Sequence, residues 1–174
     1  KKTLYQIADP FMEFYYRFIA PNKSLLAIGR SQRVQSIIDS QLNDHISHLW
    51  ERLCQLAISG NNLFGHEWQM GRRWWGKAMN ANGEMEQLEL DVVAESTDKR
   101  FLLVGECKWK KSDYSGRLLS ELKHKVSLAP FAQGKEIVYV LFLREHPLDN
   151  NDINILYPDD IIGMIKKSSR RKMK

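Results

Sequence analysis

The sequence predicts an α/β fold, a mixed sheet with helices on both faces. Three observations predict it. Apolar residues recur at helical spacing from Val34 to Ala57, and three strand-like stretches follow with short polar turns between them. A helical pattern over 114–131 then separates these from the continuous apolar run 136–143. A meander, a crossover helix and a strand buried on both faces make a mixed sheet.

Asp9-Pro10 has the form of an N-cap followed by proline at the first helical position. It opens an aromatic helix that includes Phe11, Phe14, Tyr15, Tyr16 and Phe18, suited to packing on this chain or on a neighbour. Pro21-Asn22 is expected to end it. The long helix that follows carries Val34, Ile37, Ile38, Leu42, Ile46, Leu49, Trp50, Leu53, Leu56 and Ala57, and should stop at Ser59-Gly60-Asn61-Asn62. Strands are predicted at about 66–77, 87–95 and 100–109, with Asn80-Ala81-Asn82-Gly83 turning between the first two. Leu118, Leu119, Leu122, Val126 and Leu128 are the apolar residues of the next helix. The strand 136–143 follows, then a short one at 153–157, and Pro158-Asp159-Asp160 opens a final helix. The organisation expected is a helical lead-in over 1–33, a globular domain over 34–165 and a basic tail over 166–174.

At 174 residues the chain can bury a real core, and 43% hydrophobic with 27% charged residues is ordinary for a soluble domain. The net charge of +5 leans moderately towards polyanions, and part of it sits in the tail, which reads first as a solvated end. Cys54 and Cys107 make neither a zinc pattern nor a disulfide framework, which fits a reducing cytoplasm. The longest apolar run, 137–143, is far too short to span a bilayer, and no signal peptide is visible. A start at Lys1-Lys2 without an initiator Met reads as a piece of something longer. His45 and His48, three apart on a helix, are discounted as a metal pair.

The residues most suggestive of chemistry end the second and third strands. If the hairpin pivots at Asp98-Lys99, Thr97 faces Arg100 and Asp91 faces Glu106. Opposed residues share a face, as do alternate residues along a strand, so Asp91, Glu106 and Lys108 should project together. Two facing carboxylates are destabilising unless something offsets them, and a divalent cation would. Phosphodiester hydrolysis needs a hydroxide nucleophile and neutralised phosphate oxygens; Mg²⁺ (or Mn²⁺) on one or two carboxylates supplies both, and an ammonium can position the water. Glu51, on a largely apolar stretch of the long helix, adds a fourth group if that side meets the strand ends. Taken alone, Glu106 and Lys108 read first as a plain cross-strand ion pair. The third strand's face, Leu102, Val104, Glu106, Lys108, runs from apolar to charged as a cleft rim does.

An acid ending the second core strand, Glu-x-Lys on the third and a Glu in the leading helix resemble the PD-(D/E)XK nuclease superfamily. The order helix, three strands, helix, strand is similar to its restriction-endonuclease-like core. The likeness is closer to one branch, the domain of unknown function at the C-terminus of archaeal and bacterial DEXX-box ATPases. The stretches that carry it are Ile7-Ala8-Asp9-Pro10-Phe11, Phe14-Tyr15-Tyr16-Arg17-Phe18, Trp50-Glu51-Arg52-Leu53-Cys54, Gly71-Arg72-Arg73-Trp74-Trp75-Gly76, Glu89-Leu90-Asp91-Val92-Val93 and Gly105-Glu106-Cys107-Lys108-Trp109. The resemblance implies Asp91 and Glu106 as metal ligands, Lys108 as the catalytic lysine and Glu51 as the helix acid. It also implies an ATPase domain of the same polypeptide, upstream of the lead-in. No phosphate-loop sequence occurs in this chain, so this piece is not expected to bind ATP. The residue before Asp91 is Leu90 where the superfamily usually has a β-branched residue, and the Pro-Asp of its name is absent.

DNA is the expected partner. Of the adjacent Trp74 and Trp75 one should be core. The other, with Arg72, Arg73 and Lys77, would make a stacking and phosphate-binding edge. Trp109, Lys110 and Lys111 follow the site directly and could contact a nucleic-acid backbone, with Arg117, Lys123, His124 and Lys125 extending that surface or forming a merely solvated helix face. The alternative to a metal-dependent nuclease is an inactive nuclease fold that serves the ATPase as a binding or regulatory module.

Overall fold

The computed structural model describes Ile7 and residues 9–79, 83–110, 114–149 and 153–171. Two compact units divide the chain, Lys1–Leu49 and Trp50–Lys174.

In the first unit, Asp9 accepts hydrogen bonds from the N–H groups of Phe11 (2.8 Å) and Met12 (3.1 Å), capping α1 (Pro10–Phe14) as the sequence predicts. The chain then winds wider, through a π turn over Tyr15–Ile19. Pro21 does not end the helical path. It sits in a 3₁₀ turn, Ala20–Asn22, that continues into α2 (Lys23–Ala27), and Asn22 Nδ2 donates to the Phe18 carbonyl at 2.8 Å. Proline's missing N–H is tolerated near the start of a turn, and the Asn22 amide satisfies a carbonyl the change of winding leaves open. Phe14, Phe18 and His45 form a ring cluster with centroids 5.0–5.9 Å apart.

Helix α3 (Ser31–Ile58) passes from the first unit into the second and stops at Gly60, whose φ of +69° suits glycine. The expected strand 66–77 is instead broken. β1 (Asn62–Leu63) and β2 (His66–Glu67) form a small hairpin, and β3 (Arg72–Met79) starts afresh. Trp68, fully buried with its indole N–H donated to the Leu63 carbonyl, anchors the chain between them. Gly71 lets the chain turn against α3, since a Cβ there would lie 2.7 Å from the Gln55 carbonyl oxygen. The turn foreseen at Asn80-Ala81-Asn82 lies outside the described residues.

The main sheet has the order β3, β4 (Met85–Glu95), β5 (Phe101–Lys108), β6 (Glu136–Leu143), β7 (Asn154–Leu156). The first three pair antiparallel; β5–β6 and β6–β7 are parallel, with α4 (Ser115–Leu128) between β5 and β6. Helices cover both faces. Trp50, Cys54, Ala57 and Ile58 of α3, with Ile161 of α5 (Pro158–Arg171), pack on Val92, Leu103, Val140 and Phe142. Leu118, Leu122 and Val126 of α4 pack on Leu90, Leu102, Val104 and Leu141. Helix α5 takes in the start of the expected tail as far as Arg171. No helix among the described residues is long and apolar enough to cross a membrane.

Candidate functional site

The hairpin register is the one the turn predicts. Val92 pairs with Gly105, Val93 with Val104 and Ala94 with Leu103, so the next position along sets Asp91 against Glu106. One feature departs from simple pleating. Arg72 pairs with Val93 but Trp74 with Leu90, so two residues of β4, Asp91 and Val92, oppose the single Arg73. That is a β-bulge, which breaks the alternation of faces and re-aims a side chain. The Asp91 carboxylate is fixed instead by the N–H of Cys107, donated to Oδ2 at 2.8 Å, while Gln55 of α3 donates to the Asp91 carbonyl at 2.8 Å.

Glu106 continues the face of Leu102 and Val104 and is buried, 7% exposed. Both its oxygens are taken. Lys108 Nζ donates to Oε1 at 2.7 Å, and Lys125 Nζ, reaching from α4, donates to Oε2 at 2.9 Å. The charge on Glu106 is thus offset by two ammonium groups. Lys125, expected either to extend a nucleic-acid surface or to lie on a solvated helix face, turns towards Glu106. The signal was in the sequence, because Lys125 falls beside the stripe Leu118, Leu122, Val126 that α4 buries.

The acids influence one another strongly. Burial, then the nearby Asp91 carboxylate, push Glu51 up to about 7, with Arg73 and Lys108 opposing. Glu51, on α3, thus feels the charge of the strand-end acids. Burial and repulsion from Glu106 raise Asp91, against the hydrogen bond from Cys107. Burial acts to raise Glu106 too, but the hydrogen bonds from Lys108 and Lys125 outweigh it and hold the carboxyl below its ordinary value. Burial acts to lower Lys108, yet Glu106 and Asp91 keep it above the usual lysine range. Burial raises the Cys54 and Cys107 thiols above their ordinary value, so both are neutral.

Carboxylate oxygen is the donor class that Mg²⁺ and Mn²⁺ prefer, and one or two carboxylates suffice when water and phosphate complete the shell. Asp91 and Glu106 meet that minimum. No group of three His, Cys, Asp or Glu side chains among the described residues is arranged to hold a metal ion. The cation expected to relieve the Asp91–Glu106 repulsion has its counterpart in the two lysines on Glu106.

The edge strand β3 divides its residues as alternation requires. Trp74 packs inward, 4.7 Å from the Phe131 ring and over Gly76, where a Cβ would meet the indole at 2.5 Å. Trp75 is 68% exposed. Arg73 and Lys77 share its face, but Arg72 falls on the other, its guanidinium donating to Met70 Sδ at 3.3 Å. Arg73 is ion-paired with Glu89. Trp109, expected beside Lys110 and Lys111 to contact a nucleic-acid backbone, is half-buried. It packs 5.6 Å from the Trp50 ring, with the Arg144 guanidinium 5.5 Å from its centroid. Lys110 is exposed, and Lys111 lies outside the described residues. On α4, Arg117 pairs with Glu121 at 2.9 Å and Lys123 lies 5.7 Å over Tyr139.

A family model described as archaea bacterial proteins of unknown function, DUF234, matches residues 15–124. An uncharacterized protein of Methanocaldococcus jannaschii is 30% identical over 114 residues, which cover 63% of this chain and 23% of that protein. The chain thus spans less than a quarter of that relative's length. No solved structure matches. Glu51, Asp91, Glu106 and Lys108 all fall inside the family match, and Lys125 lies one residue beyond it.

Proposed function

Because the chain belongs to DUF234, a family of archaeal and bacterial proteins for which no activity is stated, the site must carry the reading, and we propose a metal-dependent nuclease domain of the PD-(D/E)XK type. Its substrate is DNA, its core is restriction-endonuclease-like, and it forms the C-terminal part of an ATPase. The observation that carries this is the mutual influence of Glu51, Asp91, Glu106 and Lys108, three acids and an amine at one end of the β4–β5 pair. Buried like charges in a cluster are a poor way to stabilise a fold and a common way to build a reactive site.

Asp91 and Glu106 would hold the metal. A bound Mg²⁺ or Mn²⁺ supplies charge neutralisation at the phosphate and a more acidic water. Lys108, kept protonated by its acid neighbours, orients the attacking water and stabilises negative charge developing on the phosphate. Glu51, with its pKa near 7, accepts the proton that water gives up. The products are a hydroxyl on one side of the cut and a phosphate on the other.

A second reading, an inactive nuclease fold used as a binding module of the ATPase, has one observation in its favour: both Glu106 oxygens are already paired with ammonium groups. Activity separates the two. Lys108→Ala should abolish Mn²⁺-dependent cleavage while moving the melting temperature little, since Lys125 still neutralises Glu106. If the unmodified chain cuts no single-stranded, duplex or branched DNA with either metal, the nuclease reading fails and the binding module stands.

A further inference from the structure

Lys125 stands outside every role assigned so far. Its Nζ is 2.9 Å from Glu106 Oε2, and Lys108 takes the other oxygen at 2.7 Å. Glu106 is nearly sealed from water, at 7% exposure, whereas the side chains of Lys125 and Lys108 keep 31% and 39% of their surface open. Glu106 is fixed on β5 in the middle of the sheet. Lys125 hangs on a flexible four-carbon stem from a different element, α4, whose buried contacts are made by Leu118, Leu122 and Val126. The ammonium can therefore leave Glu106 for solvent without any backbone moving. Lys108 cannot leave so freely. It shares a strand and a face with Glu106, two residues away, and Asp91 also contributes to holding its proton.

Resting on the metal-dependent reading above, we propose that Lys125 is a positioning residue that acts as a built-in placeholder for the divalent cation. It neutralises Glu106 in the metal-free protein and must swing away when an ion takes that oxygen. With all three carboxylates ionised, three acids and two lysines leave the cluster one positive charge short of neutral without the metal. Removing Lys125 deepens the negative potential at the site and frees one Glu106 oxygen. Both effects favour a doubly charged ion. The charged groups that act on Glu106 are Lys108 on its own strand, Asp91 on β4, Glu51 on α3 and Lys125 on α4, and Lys125 is the one bonded to Oε2.

Calorimetric titration of the 174-residue chain with Mn²⁺ tests this, with wild type, Lys125→Gln, Lys125→Arg and Asp91→Ala compared. Gln removes the charge and shortens the side chain; Arg keeps both the charge and the reach. The expected result is Mn²⁺ binding roughly tenfold tighter in Lys125→Gln, near wild type in Lys125→Arg, and lost in Asp91→Ala. Binding by Lys125→Gln where wild type shows none supports the proposal equally. Should wild type bind Mn²⁺ through Asp91 while Lys125→Gln binds no more tightly, the placeholder role is overturned and the metal site survives. If neither wild type nor Lys125→Gln binds, the metal reading and the placeholder fall together. Thermal melting without metal accompanies each variant, because a purely structural lysine would lower stability without raising affinity.

Discussion

At the scale of single residues, Glu51 is the group whose ionisation should be visible from outside. Its carboxyl is pushed from 4.5 to about 7, first by burial and then by Asp91. In the unfolded chain it ionises near its ordinary value, so between about pH 4.5 and 7 the folded state holds a proton that the unfolded state has lost. Stability must fall as pH rises through that window and level off above it. Asp91, also raised, adds to the same trend; Glu106, held low by its two lysines, acts oppositely, its contribution being present at neutral pH and lost as pH drops into the acid range. Because Glu51 is only half-buried, a realistic size is about 1–2 kcal/mol. Glu51→Gln removes the titrating group and should raise the melting temperature at pH 8 by roughly 3–6 °C, with little change at pH 5. Melting curves across that range check it; a variant that gains nothing at pH 8 would mean that Glu51 is solvated and plays no part in the acid cluster.

Among the elements, the β4–β5 hairpin was the most legible part of the sequence and the β3–β4 pair the least. The polar turn Ser96 to Arg100 left one sensible pivot, and the pairing of Val92 with Gly105 follows from it. Nothing comparable marks the bulge, since neither glycine nor proline stands at Asp91-Val92 and both residues suit a regular strand. For the same reason the charge types and the register at the site could be read while the bulge at Asp91-Val92 could not. Lys125 was legible only as a charge beside an apolar stripe, and its inward turn depends on where α4 docks, which is a tertiary outcome. Pro21 misled because a proline ends a regular α-helix but not a π and 3₁₀ path. β5 itself depends on one small residue. A Cβ on Gly105 would sit 2.3 Å from the Phe142 ring, whose strand also offers its carbonyl to Trp50 Nε1 at 3.2 Å. Gly105→Ala forces that ring out of its packed position and should destabilise by about 2 kcal/mol. Urea unfolding measures it, and a loss below about 0.5 kcal/mol would show that Phe142 moves aside freely.

For the molecule as a whole, the proposed function turns on whether a chain of net charge +5 has a local surface on which DNA could bind. The sheet ends at β3, and that edge presents Trp75 with Lys77 on one face, both exposed, next to Arg73 already committed to Glu89. Trp109, which follows the acid cluster in sequence, packs with Trp50 and Arg144. Stacking and phosphate binding are therefore expected at the β3 edge and should separate by salt. An aromatic platform contributes about 1–3 kcal/mol per stacked base and responds weakly to ionic strength, whereas each phosphate contact adds close to one unit to the slope of log affinity against log salt. Trp75→Ala should weaken binding of single-stranded DNA about tenfold at fixed salt, leave the salt slope unaltered and leave the melting temperature unaltered, since 68% of the side chain already faces water. Lys77→Ala should instead shallow the slope by roughly one unit while costing little affinity at high salt. Fluorescence anisotropy with a labelled oligonucleotide over a salt series reads both quantities from one data set. Equal affinity for wild type and Trp75→Ala across that series would move the nucleic-acid surface off this edge and leave the exposed tryptophan to a protein partner.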